Sequence, residues 1–322
     1  MKPFRSIAEQ IDILSSRNLI INDKEYAAKY LLSNNYYNII NRYGKFFPRD
    51  GDNFIKGTTF EEVSRLYLFD KEIKQSLFKA TIDIESHLKA IFAYHFAEAV
   101  KDVPYAYLNI NSYDPSYVLE VIPTISKLAG TIKYYNNKNS PDHCIYHYAH
   151  THHDIPIWVL VNYIDFGNVR HMLKYSRKSV QNKVAQDMMQ FIRQHIPDAQ
   201  PFYPETMLSF LSNINDLRNV CAHNKCLLKF TCKHDSKYWP PLHDLYNISK
   251  ENNRNTPYST FIEMQCFLSK SEYTVLFNSI RKRMNNHLKN HLKSVSQNVI
   301  LQSLGFPDDW NTKTSKINQN SI

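Results

Sequence analysis

The stretch TFEEVSRLYLFDKEIKQSLFKATIDIESHLKAIFAYHFAE, residues 59–98, decides the fold. Thr59-Phe60-Glu61-Glu62 has the form of a capping box, in which hydroxyl and carboxylate satisfy the free amides of a new helix. Behind it Leu66, Phe69, Ile73, Leu77, Ala80, Ile84, Leu88 and Ile91 recur at spacings of three and four. That is one apolar stripe on one helix, about 60–98, far beyond the usual ~11–12 residues. A helix so long is expected to be the spine of a bundle. The chain therefore reads as all-α.

Outward from the spine, Ser6-Ile7-Ala8-Glu9 repeats the capping-box form and Asn22-Asp23 offers another helix start. Residues 1–56 thus read as an N-terminal helical extension, closed by a loop over 49–58. Residues 57–310 read as the main helical domain. Within it, 101–155 is interrupted by Pro104, Pro115, Pro123 and Pro141 and reads as an irregular insertion of short helices and loops. Helices are expected from Pro156 to Tyr163, from Val169 to Lys174, from Ser179 to Gln194 and from Pro204 onward. Residues 225–235 alternate weakly, as a short strand would, and 236–257 read as loop. Phe261 to Leu268 and Tyr273 to about Ile300 close the helical pattern, and 311–322 reads as a frayed tail.

With 6 glycines in 322 residues, the chain has no Gly-rich phosphate loop and little material for a turn-dense β fold. The net charge is +9 and aromatics make up 13% of residues, a balance that favours a polyanionic partner. Five cysteines, no leader-like start and no apolar run of ~20 residues point to a reducing, cytoplasmic setting without a membrane span.

The chemistry concentrates in Arg218-Asn219-Val220-Cys221-Ala222-His223-Asn224, at the far end of a helix whose apolar face is Met207, Leu208, Leu211, Ile214 and Leu217. Arginine holds a phosphate in a fork of donors, and histidine moves a proton near neutral pH. Residues four apart share a helix face, so Asn219 and His223 stack, with Arg218 on the flank. These groups suit metal-free RNA transesterification: His223 as general base or acid, Arg218 against the phosphorane charge, Asn219 orienting. The products would be a 2′,3′-cyclic phosphate and a 5′-OH, with no metal or cofactor. One copy is a lopsided half-site, and two copies about a two-fold axis would make a fuller cleft, so a homodimer through the motif helices is expected.

Acid-free stretches supply the RNA-binding candidates: Arg170, Lys174, Arg177 and Lys178, then Arg281, Lys282 and Arg283. The plain alternative is a solvated face. Tyr36, Tyr37, Tyr43, Phe46 and Phe47 could stack on bases but read better as core. Cys221, His223, Cys226, Cys232 and His234 can be drawn as a zinc set, though the spacing fits no familiar knuckle. His143, His147, His150, His152 and His153, with Asp142 and Asp154, read better as a polar loop than as a metal site.

The motif resembles the Arg-x4–6-His signature of the HEPN superfamily of helical proteins, many of them ribonucleases. More narrowly the chain resembles Abi-like (AbiD/AbiF-type) abortive-infection proteins over about residues 2–310. The resemblance rests on Lys2-Pro3, Gln10-Ile11, Leu14, Tyr30-Leu31, Asn35-Tyr36-Tyr37, Phe60-Glu61-Glu62 and Leu66-Tyr67-Leu68-Phe69-Asp70. It continues through Ile84-Glu85, Pro156-Ile157-Trp158, Phe166-Gly167, the motif, and Leu304-Gly305-Phe306-Pro307-Asp308-Asp309-Trp310. It implies a HEPN-type bundle, a dimer through the motif helices, and an RNase acting as toxin or phage-defence effector, sometimes restrained by a structured noncoding RNA. Arg218 and His223 match the catalytic pair, and Asn219 the polar neighbour. Glu85 stands where an acid would brace the arginine, or else faces solvent. An alternative within the same fold is a structured-RNA-binding protein that cleaves little.

Overall fold

The computed structural model describes residues 3–55, 57–138 and 142–317, and it is all-α apart from one short hairpin. Lys2, from the N-terminal part of the resemblance, lies outside the described residues. In chain order the elements are α1 (Ile7–Ser16), α2 (Lys24–Asn34), β1 (Arg49–Asp50), β2 (Asn53–Phe54) and α3 (Phe60–Ala99). Then come α4 (Val118–Asn136), α5 (Cys144–His147), α6 (Ile157–Leu160), α7 (Phe166–Tyr175), α8 (Lys178–His195) and α9 (Pro204–Ala222). The last are α10 (Pro240–His243), α11 (Pro257–Glu263), α12 (Lys270–Met284), α13 (Gln297–Ser303) and α14 (Trp310–Lys313).

The spine forms as its pattern requires. Thr59 and Glu62 close the capping box, and α3 runs 40 residues with α6, α7, α8, α9 and α12 packed around it. Because it is covered on several sides, its buried residues spread well beyond the stripe. Val63, Asp70, Lys74, Thr81 and Phe92 form a second buried line beside it. The Ser6–Glu9 box and the Asp23 cap also form. The N-terminal extension is fastened to the spine's start where Phe60 N donates to Ile20 O and Ile20 N to Thr58 O.

Five expectations change. Residues 49–58 contain the antiparallel β1–β2 hairpin, turned at Gly51, whose φ of 57° suits glycine. The insertion is not merely irregular: α4 is a 19-residue helix that tolerates Pro123 in its second turn, and it buries Val121, Thr124 and Leu128 against the body. Residues 225–235 form no strand, since Leu227 and Leu228 are buried without a ladder partner. The helix expected from Tyr273 to Ile300 breaks into α12, a π turn over Asn285–Lys289, and α13. There Glu62 accepts the backbone amides of Lys293 (2.6 Å) and Ser294 (2.8 Å). The tail also departs from fraying as far as Ile317: Asn278 Nδ2 donates to Ile317 O and Arg281 Nε to Thr314 O, docking it on α12. Residues 318–322 lie outside the described part.

Candidate active site

Helix α9 opens with Pro204 in its first turn and stops at the motif. Its end is a Schellman closure: Asn224 N donates to Cys221 O (3.3 Å) and Lys225 N to Val220 O (3.1 Å). His223 is the last half-helical residue, and Asn224 takes the left-handed conformation (φ 48°) that asparagine tolerates better than most side chains. The sequence thus fixes where His223 leaves the helix.

The stop is anchored to the spine. Lys74 on α3 is 3% exposed and donates to Asn224 Oδ1 (2.7 Å), Lys225 O (2.9 Å) and Asp70 Oδ2 (2.7 Å). Asp70, fully buried, also accepts from Tyr43 Oη (2.7 Å) and from Leu227 N (2.9 Å). Both charges are therefore saturated, the condition under which a buried ion pair is tolerated. Asp70, Lys74 and Tyr43 were not anticipated as site residues. Their signal was a charged pair four apart, next to the stripe of a helix too long to have an idle face.

Arg218 is half-buried with no carboxylate in ion-pair range among the described residues. Its guanidinium carbon lies 5.7 Å from the Phe78 ring centre, Nη1 is 3.4 Å from Asn219 Oδ1, and Nε is enclosed without a partner. His223 is exposed, and its ring makes no hydrogen bond to the described residues. Asn219 lies between the two in rotation about the helix. The arrangement is a cation without a counter-charge, an amide and an accessible imidazole on one immobilised helix end. Glu85 does not brace Arg218: it pairs with Lys89 at 2.7 Å, one turn further along α3. Asn224, itself exposed, closes the helix end through its backbone amide and accepts from Lys74.

The basic candidates separate. On α7, which packs against α9, Arg170 Nη2 lies 2.8 Å from His171 Nε2, and its Nε is enclosed and unpaired. Burial, with Arg170, Lys127 and Lys174 nearby, pushes His171 down to about 4, so its ring nitrogen is a free acceptor for the arginine. Lys174 is exposed beside Tyr175. Arg177 is spent on Asn111 O and Lys178 on Glu205. On α12, Arg283 pairs with Glu72, whereas Arg281 and Lys282 line an acid-free cleft of about 570 Å³ with Lys316, Asn278, Asn285 and Asn286.

Among the described residues no three His, Cys, Asp or Glu side chains are arranged to hold a metal ion, so the zinc set is not assembled. Burial pushes the Cys221 and Cys232 thiols up to about 12, as suits core residues. His143 caps α5 and stacks on Tyr135, and His150 stacks on Tyr146. Tyr43, Phe46 and Phe47 are core, while Tyr37 is exposed.

A helical body built on a long spine, with an arginine and a histidine brought together at a helix stop, defines the class of the protein. The family described as Abi-like protein matches residues 29–229, more than half of the chain, and the protein belongs to that family. The match runs from α2 through the motif and its anchor and ends before α10. No curated protein matches the chain, and no solved structure does.

Proposed function

We propose that this protein is a metal-independent endoribonuclease of the HEPN type, AbiD/AbiF-like, that acts as an abortive-infection effector. The observation that carries the reading is Arg218, half-buried without a counter-charge, beside the exposed His223 on an anchored helix end. Arg218 would hold the scissile phosphate and offset the charge that develops on it. His223 would take the 2′-OH proton or give one to the 5′ leaving oxygen. Asn219 would orient either partner.

One chain offers one histidine and one arginine, so both proton transfers call for a second copy. The α9 surface fits this. Leu208, Ser212, Asn215, Asn219 and Ala222 follow one another at spacings of four and three, uncharged and half-buried or exposed. That is a seam for packing against its own copy across a two-fold axis. RNA would be gathered by Arg170 and Lys174 on α7, which packs against α9, and by the Arg281–Lys282 cleft.

The test is total RNA incubated in EDTA with the protein and with His223→Ala. Cyclic-phosphate ends are expected only with the wild type, and the variant should be slower by about 10²–10⁴-fold. Cleavage that survives the substitution, or that needs Mg²⁺, overturns the site. Tight binding of a structured RNA without any cleavage would favour the binding-only alternative.

A further inference from the structure

A cavity of about 750 Å³ lies away from the motif, at the C-terminal end of α3. Its volume is that of a small-molecule site. Its aromatic lining comes from Tyr94, Phe96, Tyr105, Tyr107 and Trp158. Tyr94 and Trp158 are 66% and 58% exposed, unusual for side chains of this size with so much apolar surface to cover. Trp239 and Trp310, the other two tryptophans, are buried.

Electrostatics at this pocket run against the rest of the chain. The last carbonyls of a 40-residue helix bring partial negative charge to it. Of the lining carboxylates, Glu98 is held by Lys183 and His95. That leaves Asp102 and Asp154 against Lys101, in a protein whose net charge is +9. Asp154 is half-buried and fixed: its Oδ1 accepts from Tyr105 N at 2.7 Å, while Oδ2 has no partner among the described residues. That amide bond holds Tyr105 in the left-handed region (φ 49°), an uncommon conformation for a bulky residue. The backbone is thus bent to keep one carboxylate oxygen in place beside open aromatic rings.

We propose that this pocket binds a small organic cation, an ammonium or guanidinium carried on an aromatic or aliphatic body. The charged head sits at Asp154 Oδ2 and against the ring faces, which attract cations, and the body lies on the apolar floor. This proposal stands apart from the ribonuclease reading.

The test is titration of the full chain with phenethylammonium, 2-phenylethanol and 3-phenylpropionate at pH 7, read by tryptophan fluorescence. Saturable quenching is expected with the ammonium alone. Trp158→Phe should abolish the signal while calorimetry still detects binding. Asp154→Asn keeps the acceptor for Tyr105 N and removes the charge, and should weaken binding about tenfold. Equal binding of the neutral alcohol, preference for the anion, or an Asp154→Asn protein that binds as tightly as wild type would overturn the proposal. So would the absence of saturable binding by both fluorescence and calorimetry.

Discussion

Lys74 donates to Asn224 Oδ1 at 2.7 Å, joining the spine to the helix stop across 150 residues of sequence. Without this bond the helix stop would still be tied to the spine through Lys225 O on Lys74 and Leu227 N on Asp70, but the side chain next to His223 would no longer be held. Replacing Lys74 with Met leaves the Asp70 carboxylate buried and unbalanced, and should cost about 3–5 kcal/mol of stability. Asn224→Gly keeps the left-handed turn and removes only the amide, so a loss of about 1–2 kcal/mol is expected. Under conditions where Asn224→Gly stays folded, RNA cleavage should still fall, because His223 is the adjacent residue. Urea unfolding and a cleavage assay on the same samples read both effects. A glycine variant matching wild type in both would show that the Asn224 arm of the anchor does not matter.

How far the sequence could be read follows from the physics of each signal. The capping boxes at Ser6 and Thr59 and the stripe of α3 are local, and they appear where the residues demand. Arg218, Asn219 and His223 were visible as chemistry. Asp70 and Lys74 were hidden, because charges four apart ordinarily mark a solvated face and only tertiary burial reverses that reading. The docking of residues 314 and 317 on α12 was equally out of reach, since it rests on backbone carbonyls that accept from Arg281 and Asn278 and not on any periodic pattern. Arg283 looked like an RNA contact until Glu72 appeared beside it, 211 positions earlier in the chain.

The proposed seam on α9 makes a prediction about assembly. Asn215 lies at its middle, half-buried, next to the close approach of Gly167 on α7. Asn215→Glu would set like charges against each other across a two-fold axis, and such juxtaposition costs several kcal/mol. Sedimentation should then show a dimer for the wild type and a monomer for the variant, with the variant's cleavage lost and its helical content kept. A variant that remains dimeric removes α9 as the interface.

The basic side chains on and beside α12 should behave differently toward RNA. Lys282 and Lys316 line an acid-free cleft, so Lys282→Glu with Lys316→Glu should weaken RNA binding and flatten its salt dependence. The loss in slope expected for two phosphate contacts on a single strand is about 1.4. Arg283→Glu should mainly lower stability, because it faces Glu72 and would repel it. Binding measured between 50 and 200 mM salt, roughly the range over which such slopes are read, distinguishes these. An unchanged slope in the double variant would remove the cleft from the RNA path.

Acid sensitivity should expose a buried pair outside the motif. His243 accepts from Trp239 N at Nδ1 (2.9 Å), so its proton sits on Nε2, 3.7 Å from Glu263 Oε1, and both side chains are fully buried. Burial pushes His243 from 6.5 down to about 4 and raises Glu263 well above the ordinary carboxylate range. Between pH 4 and 6.5 the unfolded chain binds the histidine proton and the folded one does not, so this group's stability is full above 6.5 and lost toward 4. The raised glutamate works in the opposite direction: its stability is full below 4.5 and lost as pH rises through its folded value. In wild type the two slopes offset each other over the shared window. Glu263→Gln keeps an acceptor for the Ser236 hydroxyl and removes one slope. Its stability should drop further than that of wild type on going from pH 6.5 to 4. Urea midpoints taken across that range for both proteins give the comparison, and parallel curves would mean that His243 and Glu263 do not titrate as their burial requires.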